Sequence, residues 1–147
     1  MAHVRKSIRD NVVTTVTSLT TTGANVYRTR FYPIAEGKTP GLAIYTQNES
    51  VESATMTRPR TKMRELEVVI EGYAIAVSNL DNTLDQISLE VEEAMVTDVT
   101  RGGYAKDTEL SSVEVEYSGD GEKPVGVVKM TFTVTYATIE NDAETPV

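Results

Sequence analysis

The 147 residues suffice for one domain with a real core and are too few for two ordinary ones. The net charge of −8 argues against a protein that wraps nucleic acid, because that affinity comes mainly from basic residues releasing counterions from phosphates. The absence of cysteine removes disulfides, thiolate nucleophiles and zinc knuckles, and no apolar run approaches the roughly 18 residues a membrane helix needs. The opening MAHVRKSIRDNVV lacks an apolar h-region and a small-residue cleavage site, so export by a secretory signal is not expected and a reducing cytosol suits the chain.

Val4, Ile8, Val12, Val16 and Leu19 recur at helical spacing and predict a first helix with one apolar stripe. Thr14, Thr15 and Thr17 are poor helix formers, so packing must stabilise it; TTTG at 20–23 ends it, with Gly23 free to turn left-handed. Residues 25–32 alternate as a strand, Pro33 and Pro40 bracket a crossing, and residues 42–47 form a short second strand. The polar NESVESATMTRPR, within about 48–62, reads as an extended loop. Its Asn48-Glu49-Ser50 is formally a glycosylation sequon, a coincidence in a chain with no secretion signal.

A long strand is expected from about 62 to 77. Leu66, Val68 and Ile70 share one parity and Tyr73, Ile75 and Val77 the other, so a bulge at Gly72 would restore one inward face. The stripe Leu80, Leu84, Ile87 and Val91, continued by Ala94 or Met95, predicts a second helix over 80–97, with Ser78 and Asp81 as a capping box. After the RGGY turn, Val113, Val115 and Tyr117 alternate with Glu114 and Glu116, Asp120-Gly121 suits a hairpin, and Val128, Met130, Phe132, Val134 and Tyr136 mark the last strand. The reading is an α+β domain over 1–139: two helices on one face of a mixed, mostly antiparallel sheet of about five strands, order α-β-β-β-α-β-β. Residues 140–147 are expected to be a flexible acidic tail.

The residues carry no catalytic pattern: no nucleophile elbow, phosphate loop or dinucleotide fingerprint, and a lone His3 read as a solvated terminal imidazole. Neither a metal site nor a cofactor is expected, since Asp81, Asn82 and Asp85 lack the spacing and glycine of a calcium loop. Glu65, Glu67 and Glu71 share one parity and read as a solvated strand face rather than an acid–base pair. Two charge patterns say more. Arg58, Arg60, Lys62 and Arg64 alternate, so an extended chain projects all four to one side; Asp81, Asp85, Ser88 and Glu92 form an acidic ridge beside the second helix's stripe. A basic arm and an acidic ridge on one chain could pair copies head to tail into a ring. For any single residue, a solvated loop or helix face is the plainer alternative.

Taken in order, RKSIRDNVV, TTTGANVYRTRFYP, TPGLAIYTQNESVE, RELEVVIEGY, LDNTLDQISLEVEEAM and VGVVKMTFTVTYAT resemble the tail terminator proteins of long-tailed phages, of the minor tail protein U type. The resemblance implies a non-enzymatic structural virion protein without a cofactor. It would form a hexameric ring capping the tail tube at its head-proximal end, stop polymerisation when the tape-measure protein runs out, and offer the filled head its attachment surface. Its implied partners are its own copies, the tube protein and head–tail connector proteins, and it would assemble in the host cytoplasm. DNA would pass through without specific binding. Six copies at −8 place about 48 negative charges around that opening, and Glu65, Glu67, Glu114, Glu116 or the helix ridge is expected to line it. The alternatives are another head–tail connector or neck protein, and, from a different class, a small α+β ligand-binding domain.

Overall fold

A computed structural model of the chain describes residues 3–17, 19–23, 26–27, 40–75, 79–118 and 125–147. The elements run α1 (Val4–Val16), β1 (Val26–Tyr27), β2 (Gly41–Ser53), β3 (Thr61–Ile75), α2 (Leu80–Met95), β4 (Asp107–Ser118), β5 (Val125–Ile139) and β6 (Asp142–Pro146). The strands make one sheet in the order β1-β2-β3-β5-β4, with β6 on β5 beyond the start of β4. Only β1–β2 is parallel. The expected strand over 28–32, the Pro33 to Pro40 crossing, the Ser78 half of the capping box and the Asp120-Gly121 turn lie outside the described residues.

Both helices lie on one face. The α1 stripe Val4, Ile8, Val12 and Val16 is buried, and the α2 stripe Leu80, Leu84, Ile87, Val91 and Met95 joins it. Beneath them the sheet contributes Leu42, Ile44, Leu66, Val68, Ile70, Val128, Met130, Phe132, Val134 and Tyr136 to the same core. Burying each large aliphatic or aromatic side chain stabilises by about 1.5–3 kcal/mol, which outweighs the weak helix propensity of Thr14 and Thr15. The first helix stops at Val16 with Thr17 extended; Leu19 instead bridges Gly23, whose φ is +57°, and still packs against the core.

Several sequence expectations are corrected. The loop expected over 48–62 shrinks to residues 54–60, because β2 continues through Ser53 and β3 starts at Thr61, paired Ser53 to Lys62 through Glu49 to Leu66. Backbone ladder bonds need no apolar side chains, so a polar stretch escapes periodicity but not pairing. Nor does Gly72 carry a bulge: the registers of β3 with β2 and with β5 run unbroken through it. Leu66, Val68, Ile70 and Ala74 all face the helices, while Glu71 and Tyr73 are buried on the far face, so both parities look apolar. Gly72 is there for clearance, since a Cβ would sit 2.7 Å from Ile87 Cγ2. The bulges fall instead between Thr46 and Glu49 in β2 and between Leu110 and Ser112 in β4.

The ends differ as well. Residues 142–146 form β6, and Val147 N–H donates to the Ala137 carbonyl at 3.0 Å, where a flexible tail was expected. His3 is the N-cap of α1, its Nδ1 accepting from the Arg5 N–H at 3.1 Å. Asn79, left-handed at φ 59°, precedes α2 and its carbonyl accepts from Thr83 N–H; Asp81 places a negative charge in the first turn and accepts from the Asn82 N–H at 2.9 Å. After α2, the fully buried Arg101 caps the helix, its guanidinium donating to the carbonyls of Met95 and Asp98.

Candidate assembly surfaces

The registers of β2, β3, β5 and β4 align side chains in rows across the face turned away from the helices. One row is Ser50, Glu65, Thr135 and Asp107, and the next Glu67, Thr133 and Glu109. Further along come Ala43, Glu71, Lys129 and Glu114, then Tyr73, Val127 and Glu116. The β4 bulge keeps this face acidic throughout: Asp107 and Glu109 point to it before the extra residue, Glu114 and Glu116 after it. With Glu52, which stands opposite Met63, these four strands therefore gather eight carboxylates and one ammonium, Lys129, on one side of the sheet.

The carboxylates do different work. Glu71 is 2% exposed and accepts from the hydroxyls of Tyr45, at 2.7 Å, and Tyr73, so it is a buried and satisfied structural group. Glu65, Asp107, Glu109, Glu114 and Glu116 are exposed, and Glu67 is half-buried beside a small cleft shared with Asn48, Ser50, Glu65 and Thr133. Water screens their mutual repulsion, yet their summed field repels a polyanion that comes within about a Debye length.

The two acidic sets of the sequence reading are separated by the sheet. Glu65, Glu67, Glu114 and Glu116 share the open face, whereas Asp81, Asp85 and Glu92 belong to α2 in the helical layer. Asp81 and Asp85 are exposed; Glu92 is half-buried and accepts from Ser88 Oγ at 2.6 Å. The sheet-face carboxylates and the ridge therefore lie on opposite sides of the sheet.

The basic arm is divided too. Arg64 is drawn inward, its Nη1 3.3 Å from Glu49, its Nε 3.0 Å from Thr138 Oγ1 and its guanidinium 6.0 Å above the Tyr136 ring. Glu49 also accepts from Arg5 at 2.8 Å and from the Tyr136 hydroxyl, joining α1, β2, β3 and β5. Burial pushes the Tyr136 phenol well above its ordinary range, and the Glu49 carboxylate adds to the shift. Arg60 lies 3.7 Å from Glu140, whose carboxyl is held below its usual range first by the Arg60 backbone N–H and then by the nearby cations. Lys62 Nζ reaches Ser53 Oγ at 2.8 Å, and Arg58 stands exposed at the hairpin tip. Among the described residues, Arg58 and Lys62 take no ion pair.

The Glu49 cluster escaped the sequence reading because Glu49 lay in an expected loop. Its signal is a parity argument available only once the Thr46–Glu49 bulge turns it onto the helix side opposite Leu66. No group of three or more His, Asp or Glu among the described residues could hold a metal, and no helix among them is long and apolar enough to cross a membrane.

Two helices on one face of a long-stranded sheet, with carboxylates on the other, define a two-layer α+β domain whose polar chemistry lies in charged surfaces and internal clamps. The chain belongs to the phage minor tail protein U family, whose model matches residues 3–136. It is accordingly a structural protein of the phage virion tail and associates with other tail components. No curated protein matches the chain.

Proposed function

We propose that the protein is a tail terminator. Copies close into a ring of six on the end of the tail tube, stop its polymerisation at the head-proximal end, and present the surface to which head–tail connector proteins and the filled head attach. The family membership supports this reading, and the observation that carries it is the gathering of exposed carboxylates on a single sheet face opposite the helices. A ring with that face turned inward carries a wall of negative charge around its opening, to which DNA does not adhere. Arg58 and Lys62 remain the arm residues available to bridge copies, with Arg60 and Arg64 holding the arm in place.

The decisive experiment adds the purified protein to polymerising tube subunits and measures tube length by electron microscopy. Capping at a defined length and a ring at one end are expected; unlimited growth sinks the proposal. The wall is tested separately with Glu65→Gln, Glu67→Gln and Glu109→Gln together. Slower DNA exit from particles of normal length is expected, and unchanged ejection would remove the lining role from this face.

A further inference from the structure

Strand β4 stands at the edge of the sheet, so among the described residues the outer backbone groups of its second half have no strand partner. Its helix-side residues Val113, Val115 and Tyr117 are 44%, 43% and 58% exposed, because α2 lies over β3 and β5 and does not reach them. Glu114 and Glu116 alternate with them on the acidic side. An edge strand that is apolar on one side and anionic on the other calls for a segment that is apolar and cationic.

The chain carries one. The tip over residues 54–60 presents Met56, 87% exposed, together with the exposed Arg58. It is a firm protrusion. Ala54 N–H donates to the Thr61 carbonyl at 2.7 Å, and Arg60 and Glu140 clamp its base by reciprocal bonds from Glu140 N–H to the Arg60 carbonyl and from Arg60 N–H to the Glu140 carboxylate. The tip cannot reach its own β4 stripe. Thr61 stands opposite Ile139 and Val115 opposite Val128, so the two lie on the order of 35 Å apart along β5, on different edges.

We infer that the 54–60 tip of one copy docks on the outer half of β4 of the next, Met56 against Val113, Val115 and Tyr117 and Arg58 toward Glu114 and Glu116. This rests on the ring reading above and names its seam. The two surfaces differ, so the contact is heterologous and repeats from copy to copy until the rotation closes, as a ring requires. It also places the seam on β4 rather than on the Asp81 and Asp85 ridge of α2.

The chain has no cysteine, so introduced thiols are the only ones, and all the positions used are exposed. Met56→Cys protein mixed with size-tagged Val115→Cys protein, in the presence of tube subunits and a short bis-maleimide, should give a mixed cross-linked dimer. Met56→Cys mixed with Asp85→Cys should not. Separately, Arg58→Glu should lower the fraction of ring-mass particles by at least about tenfold, and Glu114→Lys with Glu116→Lys should restore it. Ring-mass particles without the Met56–Val115 product, or with a Met56–Asp85 product instead, overturn the seam and leave the ring standing. An absence of ring-mass particles in the unmodified protein, with or without tube subunits, overturns both.

Discussion

Strands β5 and β4 lie side by side and share the same alternation of apolar and polar residues, yet they meet opposite fates. Val128, Met130 and Phe132 of β5 are at most 2% exposed, while their cross-strand neighbours Val115, Val113 and Leu110 range from about half exposed to partly buried. The alternation that places a residue on the helix face of a sheet says nothing about whether a helix is there to cover it. In this molecule α2 covers β3 and β5 and stops short of the outer half of β4, and the uncovered stripe is what a neighbour can use.

The largest expected effect lies in the covered strand. Phe132→Ala should cost about 3–5 kcal/mol in chemical denaturation, whereas Val115→Ala should stay within about 0.5 kcal/mol and act instead on the mass of the assembly. Equal losses of stability would erase the distinction between the strands. Next, Glu49→Ala leaves Arg64 and the Tyr136 hydroxyl without their carboxylate in the half-buried end of the covered face, a loss of about 1.5–3 kcal/mol. An unfolding midpoint that does not move would show the clamp to be incidental.

Gly72→Ala sharpens the account of where α2 sits. Its Cβ would meet Ile87 Cγ2 at 2.7 Å and Val128 Cγ1 at 3.0 Å, so about 1–3 kcal/mol should be lost, and Ile87→Ala in the same chain should recover part of the strain. Additive losses in the double variant would place the helix elsewhere.

The smallest effect concerns His3. Burial, and then Arg5 and Arg64, hold its imidazole below the ordinary 6.5, while Glu49 opposes them. The unfolded chain therefore binds the proton first, so this contribution is fully present above 6.5 and is lost as the pH falls through the lower folded value. Stability measured across that window should decline more steeply in the natural chain than in His3→Ala; coincident profiles would refute the assignment.

Much of the architecture was legible in the residues. The stripes of both helices, the long central strands and the left-handed Gly23 follow from periodicity and backbone sterics alone. The illegible parts share a cause. Residues 48–53 and 142–146 are mostly polar, and Val51, Ala143 and Pro146 are too few to announce pairing. Gly72 looks like a phase break only because Tyr73 and its neighbours are buried on the far face as well. Of the proposed site residues, the shared parity of Glu65 with Glu67 and of Glu114 with Glu116 was visible. That both pairs fall on one face, joined by Asp107 and Glu109, depends on the β3–β5–β4 register and a one-residue bulge.

By itself the sequence determined both helices, the apolar strands, the sign of the charge and which residues share a side of a helix or strand, because those depend on local geometry with periods of 3.6 and 2. Only the tertiary structure decided which charges are free. Pairing across distant segments folds Arg64 and Arg60 onto Glu49 and Glu140, leaves Arg58 outward, sets the sheet between the two acidic sets, and ends the helical layer before it covers β4. Contacts between residues far apart in the chain carry no signature in either period.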